Sequence, residues 1–174
     1  TQQAYLNSYN QNKTNIDAGN LQINSSGAVS MTPVTAGMSG QQKGEIYKAG
    51  AAIGTQLTPA QNLFLSNYNT YSGALSSGAA TIDPNTGMAI PTQAPQGETA
   101  AQKTARMNAY TKATGLVLNA QGVPTQATNA QLIGAGGTPA TTGIAPYALT
   151  DALGKTAFFD PVTGKSTLPD FLQL

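Results

Sequence analysis

The chain contains no cysteine, no histidine and no tryptophan, a single arginine (Arg106), and charged residues at only 9% of its 174 positions. Each scarcity removes a class of chemistry. Without Cys or His there is no zinc finger, no haem ligation by those residues, no cysteine nucleophile and no Ser-His-Asp triad. No disulfide can form, so the redox compartment is not written in the sequence. Eight basic against seven acidic residues give a net charge of +1. A groove reader needs clustered cations to displace counterions, so sequence-specific nucleic-acid binding is not expected. No apolar run approaches the roughly 18 residues of a spanning helix. No basic segment followed by an apolar one opens the chain, so no signal peptide is visible.

Large apolar side chains are also few. Of the hydrophobic residues 27 are Ala, while Leu, Ile, Val and Phe together number 31. What is abundant is neutral and polar: 15 Gln, 13 Asn and 23 Thr. Such side chains hydrogen-bond in shielded settings without the desolvation cost of ion pairs. A chain with so little charge has little self-repulsion to keep it apart from others. This composition suits a protein packed against neighbours; the alternative is an ordinary neutral secreted or cytosolic domain.

Helical spacing of Tyr5, Leu6, Tyr9 and Ile16 predicts a helix over residues 2–16, stopped near Gly19. The stretch Asp17-Ala18-Gly19-Asn20 reads as a helix-end turn, too short for a calcium loop. Residues 20–38 read as one short hairpin or an irregular loop, with alternation at Leu21/Ile23 and Val29/Met31 around Asn24-Ser25-Ser26-Gly27. Ser39-Gly40-Gln41-Gln42 fits a capping box, and Ile46, Gly50, Ile53, Gly54 and Leu57 line one helical face after it. A second box, Thr58-Pro59-Ala60-Gln61, starts a helix with Leu63, Phe64, Tyr68, Tyr71 and Leu75 as its stripe. The tight junction predicts an αα-hairpin of helices 40–57 and 59–75. A third box, Thr99-Ala100-Ala101-Gln102, opens a helix to about Thr114.

Ile82-Asp83-Pro84-Asn85-Thr86-Gly87-Met88 and Phe159-Asp160-Pro161-Val162-Thr163-Gly164-Lys165 share the pattern Asp-Pro-x-Thr-Gly, which predicts two β-hairpins. Their distance and differing surroundings argue against a solenoid repeat. Residues 115–146, biased toward Gly, Ala, Thr, Gln and Pro, read as a long polar arm or loop. Residues 146–154 read as a short helix. The terminal stretch carries Leu168, Phe171, Leu172 and Leu174 and is apolar enough to be expected to dock on another subunit. The expected fold is mainly α with short β-hairpins. It has a small helical core (the αα-hairpin 40–75 plus helices near 2–16 and 99–114) and extended arms. The corresponding regions are 1–114, 115–146 and 147–174.

Conventional acid/base groups are limited to seven carboxylates, and turn geometry accounts for Asp83 and Asp160. Ser39 and Lys43 lie four apart, the spacing of a Ser–Lys dyad, but Ser39 is needed as a cap and Lys43 is expected in solvent. No phosphate loop, EF-hand or nucleophile elbow is present. No catalytic residue, cofactor site or metal site is expected. Gly50-x-x-x-Gly54 permits close helix approach, either to a foreign helix or lipid or, as we favour, within its own hairpin. The tyrosines are expected at core rims rather than on a sugar-stacking surface.

Helices rich in Ala, Gly, Gln and Thr, near-absence of charge, Asp-Pro-x-Thr-Gly hairpins and a polar arm-like stretch resemble the internal (ejection) or tail-associated structural proteins of tailed bacteriophages. The resemblance is one of style over the whole chain and transfers no functional residue. It implies a non-enzymatic virion component whose partners are copies of itself and other assembly proteins. It leaves membrane contact during genome delivery open. The competing expectation is a secreted bacterial adhesin or filament subunit, extracellular or at the cell surface. A small secreted hydrolase comes third, given how few acid/base groups exist.

Overall fold

The computed structural model describes residues 2–138 and the backbone of three strands beyond them, Tyr147–Thr150, Thr156–Asp160 and Lys165–Thr167. Helix α1 (Gln2–Asp17) leads to a hairpin of β1 (Leu21–Ile23) and β2 (Val29–Met31), and then to α2 (Gly40–Ala52). The chain continues through α3 (Pro59–Thr70) and the short α4 (Ser72–Ser76) into a second hairpin, β3 (Ala80–Ile82) and β4 (Ala89–Pro91), and α5 (Ala100–Thr114). A third hairpin, β5 (Leu116–Leu118) with β6 (Pro124–Gln126), and α6 (Asn129–Gly134) follow. The three outer strands, β7, β8 and β9, pair antiparallel in that order. The fold is mainly α with short hairpins.

Local chemistry explains the boundaries. Ser39, Thr58 and Thr99 each accept from the backbone N–H of a Gln three residues on, and that Gln's side chain accepts from the cap's own N–H. Thr128 and Gln131 form a fourth such box on α6. Each box satisfies two amide donors that a helix start leaves unpaired. The turns of the first three hairpins use one device. The side-chain oxygen of Asn24, Asp83 or Asn119 accepts backbone N–H groups ahead of it, and a glycine at positive φ (Gly27, Gly87 or Gly122) closes the loop.

Part of this recurrence has one origin: residues 2–114 form a tandem pair of helix–hairpin–helix units. α1–β1–β2–α2 and α3–α4–β3–β4–α5 superpose in sequence as Gln2 on Gln61, Tyr5 on Phe64, Leu6 on Leu65, Tyr9 on Tyr68, Gly19 on Gly78 and Ile23 on Ile82. Gly27 then matches Gly87, Thr32 matches Thr92, and Ser39–Lys43 matches Thr99–Lys103. The geometry agrees. Thr32 and Thr92 each donate their hydroxyl to the carbonyl of the glycine that ends the preceding helix, Gly19 and Gly78. Gly27 lies against Tyr5 and Gly87 against its counterpart Phe64, so close that a Cβ on either glycine would overlap. α2 packs on the hairpin before it and on β3 after it; α5 packs likewise on β3–β4 and on β5. Elements therefore bear mainly on their neighbours along the chain, as in a short repeat array.

The core lies in and around the second unit. Tyr47, Leu57, Phe64, Tyr68, Ala74, Ala80, Ile82, Ala89, Tyr110 and Leu116 form one cluster. Several expectations change. Of residues 115–146, expected as an arm, 115–134 form a hairpin and a helix packed on α5, with Leu116, Ala127 and Leu132 buried, while 139–146 lie outside the described residues. Residues 147–150 form a strand, not part of a helix. The helix expected to run to Leu57 stops at Ala52, because Gly54 takes a left-handed φ of 82°. The 59–75 helix is broken at Tyr71.

Candidate interaction surface

The seam between α2 and α3 brings two of the expected helix-packing residues, Phe64 and Tyr68, against Tyr47 and Gly44 of α2. Gly40 and Gly44, four apart on α2, let the second unit approach. A Cβ at Gly40 would overlap the carbonyl of Ile82, and one at Gly44 would overlap the Tyr68 ring. Tyr47 meets Phe64 edge to face, ring centroids 5.4 Å apart. Tyr68 donates its hydroxyl to the Glu45 carboxylate. Burial, with the Glu45 charge beside it, pushes the Tyr68 phenol up to about 12, so it remains a donor across the physiological range.

Lys43 does not sit in solvent. It is 9% exposed and its Nζ donates to the Pro84 carbonyl at 2.8 Å, tying α2 to the turn of the second hairpin. Ser39 is occupied as the α2 cap.

Of the residues expected to pack, Phe64, Tyr68 and Leu57 are buried, and Tyr71 is half-buried against the core. Gly50 is buried too, but against Met31 of β2 rather than against another helix. Ile53 caps α2 and is half-buried. Gly54 lies beyond the helix with open space around it, so the Gly50-x-x-x-Gly54 pair is not a packing motif; Gly40 and Gly44 are. Leu63 is 62% exposed, at the rim of a groove it shares with Lys43, Tyr47 and Phe64. The docking residues Leu168, Phe171, Leu172 and Leu174 lie outside the described residues.

The second unit holds its own hairpin with charge. Arg106 forms a two-pronged pair with Glu98, at 2.6 and 2.9 Å, and donates to the Thr92 carbonyl at 2.9 Å. The Arg106 guanidinium holds the Glu98 carboxyl below the usual carboxylate range. In the first unit the same two places are taken by Ile46 and Met38. Tyr110 is fully buried and donates to the Ala89 carbonyl at 2.8 Å; burial pushes its phenol up to about 12.

α1 stands apart. Although it carries Tyr5, Leu6, Tyr9 and Ile16, none of its residues is buried, and Leu6 is 50% exposed. Tyr5 and Tyr9 stack on one another, 6.4 Å between centroids. Tyr9 donates to Asp17 at 2.8 Å, and Lys13 pairs with the same carboxylate. Those two donors hold Asp17 below its ordinary range.

Four of the carboxylates thus have structural partners: Asp17 with Lys13 and Tyr9, Glu45 with Tyr68, Asp83 with its turn, and Glu98 with Arg106. Among the described residues, no group of three or more Asp and Glu gathers as a metal site. No helix there is long and apolar enough to cross a membrane. Together the fold and seam define a tandem helix–hairpin–helix array joined through a glycine-bearing helix. Comparison with protein-family models, with curated proteins and with solved structures yields no match.

Proposed function

We propose that this chain is a non-enzymatic structural subunit of a large symmetric assembly, and that the assembly is a bacteriophage particle in which it serves as an ejection or tail/portal-associated protein. The observation that carries the reading is α1. A helix of 16 residues carries four large apolar or aromatic side chains, yet among the described residues none of them is fully covered: Tyr5, Tyr9 and Ile16 are half-buried and Leu6 is 50% exposed. In an ordinary small domain such a helix gains its stability by covering an apolar face. Here that cover is left for a neighbour to supply. The neutral, amide-rich exterior supports the same reading, since it can be desolvated without stranding charge.

The test is quantitative mass spectrometry of particles sedimented from cells that express the gene. The expected result is co-sedimentation with portal and tail subunits at a fixed stoichiometry. Recovery only as a free, stable monomer contradicts the proposal. Recovery at the cell surface replaces it with the adhesin or filament reading.

A further inference from the structure

When the two units are compared position by position, one difference stands out. Among the described residues, α3 is covered on one side by α2, whereas α1, its counterpart, packs chiefly on β1 and leaves Tyr5, Tyr9 and Ile16 only half-buried. Three features of the α2–α3 seam have an unfilled equivalent at α1. Phe64 meets Tyr47 of α2, but Tyr5 turns to Tyr9 of its own helix. Tyr68 donates to Glu45 of α2, but Tyr9 donates back to Asp17. The Pro84 carbonyl receives Lys43 of α2, whereas its counterpart Ser25 borders an open groove of about 480 Å³ shared with Gln2, Tyr5 and Leu6. In the second unit the equivalent groove is partly filled by Lys43 and Tyr47 and measures about 350 Å³.

We infer that the Tyr5–Tyr9 face of α1, with the groove beside it, is a docking site for a helix of the α2 kind carried by another polypeptide unit of this same design. The occupant has a Ser or Thr cap, glycine at its first and fifth positions, lysine at its fourth and an aromatic ring at its eighth. The required glycines follow from the seam already present, where any Cβ at Gly40 or Gly44 would overlap the facing unit. They also exclude the obvious self-partner. α5 of a second copy keeps Lys103 but carries Ala100 and Thr104 where α2 has Gly40 and Gly44. Head-to-tail stacking of this chain on itself by the same geometry is therefore blocked. The site deepens the assembly reading, on which it rests for the existence of a neighbour.

The test keeps the full chain and adds a helix to it. A second copy of residues 33–60 is fused directly ahead of Gln2 in place of Thr1, which reproduces the connection from α2 into α3. Residue-resolved hydrogen exchange then reads α1. The expected result is that α1 amides slow by about tenfold or more, as when a frayed element joins a cooperative unit. The same extension carrying Gly44→Leu, or the extended chain carrying Tyr9→Ala in α1, should lose that protection. Unchanged exchange of α1 overturns the inference, as does equal protection by the Gly44→Leu extension. Protection in the extended chain, with the unmodified chain absent from sedimented particles, would leave the docking site standing and remove the assembly reading.

Discussion

Replacing Gly40 with valine is expected to destabilise the protein by on the order of 3 kcal/mol, measured as a lowered urea midpoint at unchanged slope. The reason is steric and specific. A Cβ at Gly40 falls onto the Ile82 carbonyl and side chain, and a backbone carbonyl in a paired strand cannot rotate away as a flexible side chain can. Relief requires α2 to withdraw from the second unit. That withdrawal also loosens the Lys43–Pro84 hydrogen bond and the Tyr68 ring seated on Gly44. Gly73→Ala is the contrast. Gly73 lies in α4 with open space around it, so alanine there should stabilise slightly, by about 0.5 kcal/mol, through reduced freedom of the unfolded chain. If Gly40→Val and Gly73→Ala behave alike, the seam is not where the two units meet.

Truncating Tyr110 to alanine is expected to cost about 3–5 kcal/mol, the usual range for emptying a buried aromatic site. Tyr110 is fully buried and lies in the cluster that joins α5 to the second hairpin. Its hydroxyl reaches the Ala89 carbonyl, and Ala89 is itself fully buried. Tyr110→Phe separates the two contributions. It keeps the ring and loses only the hydrogen bond, so a cost near 1 kcal/mol is expected. Thermal or urea unfolding of both variants checks this. Equal losses from Ala and Phe would mean the hydroxyl, not the ring, carries the site.

The sequence spoke clearly wherever the governing interaction was local. Three capping boxes and the helix-end turn at Asp17–Asn20 involve residues within a few positions of each other, and they stand where the spacing placed them. The turn at Asp83–Gly87 is of the same kind. The duplication was harder to see. The partner of Asp83-Pro84-Asn85-Thr86-Gly87 is Asn24-Ser25-Ser26-Gly27, which shares only the side-chain acceptor and the glycine and is one residue shorter. Matching on the full Asp-Pro-x-Thr-Gly string draws the eye to residues 160–164 instead. The physical requirement is an acceptor at the first turn position and a left-handed residue at the last, and this is looser than the string.

Misplaced features share a different cause. Periodicity identified one face of α2, but not where the helix stops nor which element covers each side. Periodicity therefore carries Gly54 into a helix that ends at Ala52 and gives no signal for Gly40 and Gly44. Lys43 reads as solvated in the sequence because the carbonyl that holds it belongs to a turn far along the chain. Residues 115–146 read as an arm or loop because composition hides two familiar devices within them, the Asn119–Gly122 turn and the Thr128–Gln131 cap. α6 adds only Leu132 to the buried set, too little apolar periodicity to register.

The central claim is that two like units stack through α2, leaving α1 without a partner helix among the described residues. Residue-resolved native-state hydrogen exchange on the isolated, unmodified chain tests it most directly. The account predicts that amides of α2 around Ile46–Gly50 open only with global unfolding, while those of α1 from Tyr5 to Ile16 exchange through local fraying, orders of magnitude faster. Protection of α1 equal to that of α2 in the free chain would contradict it.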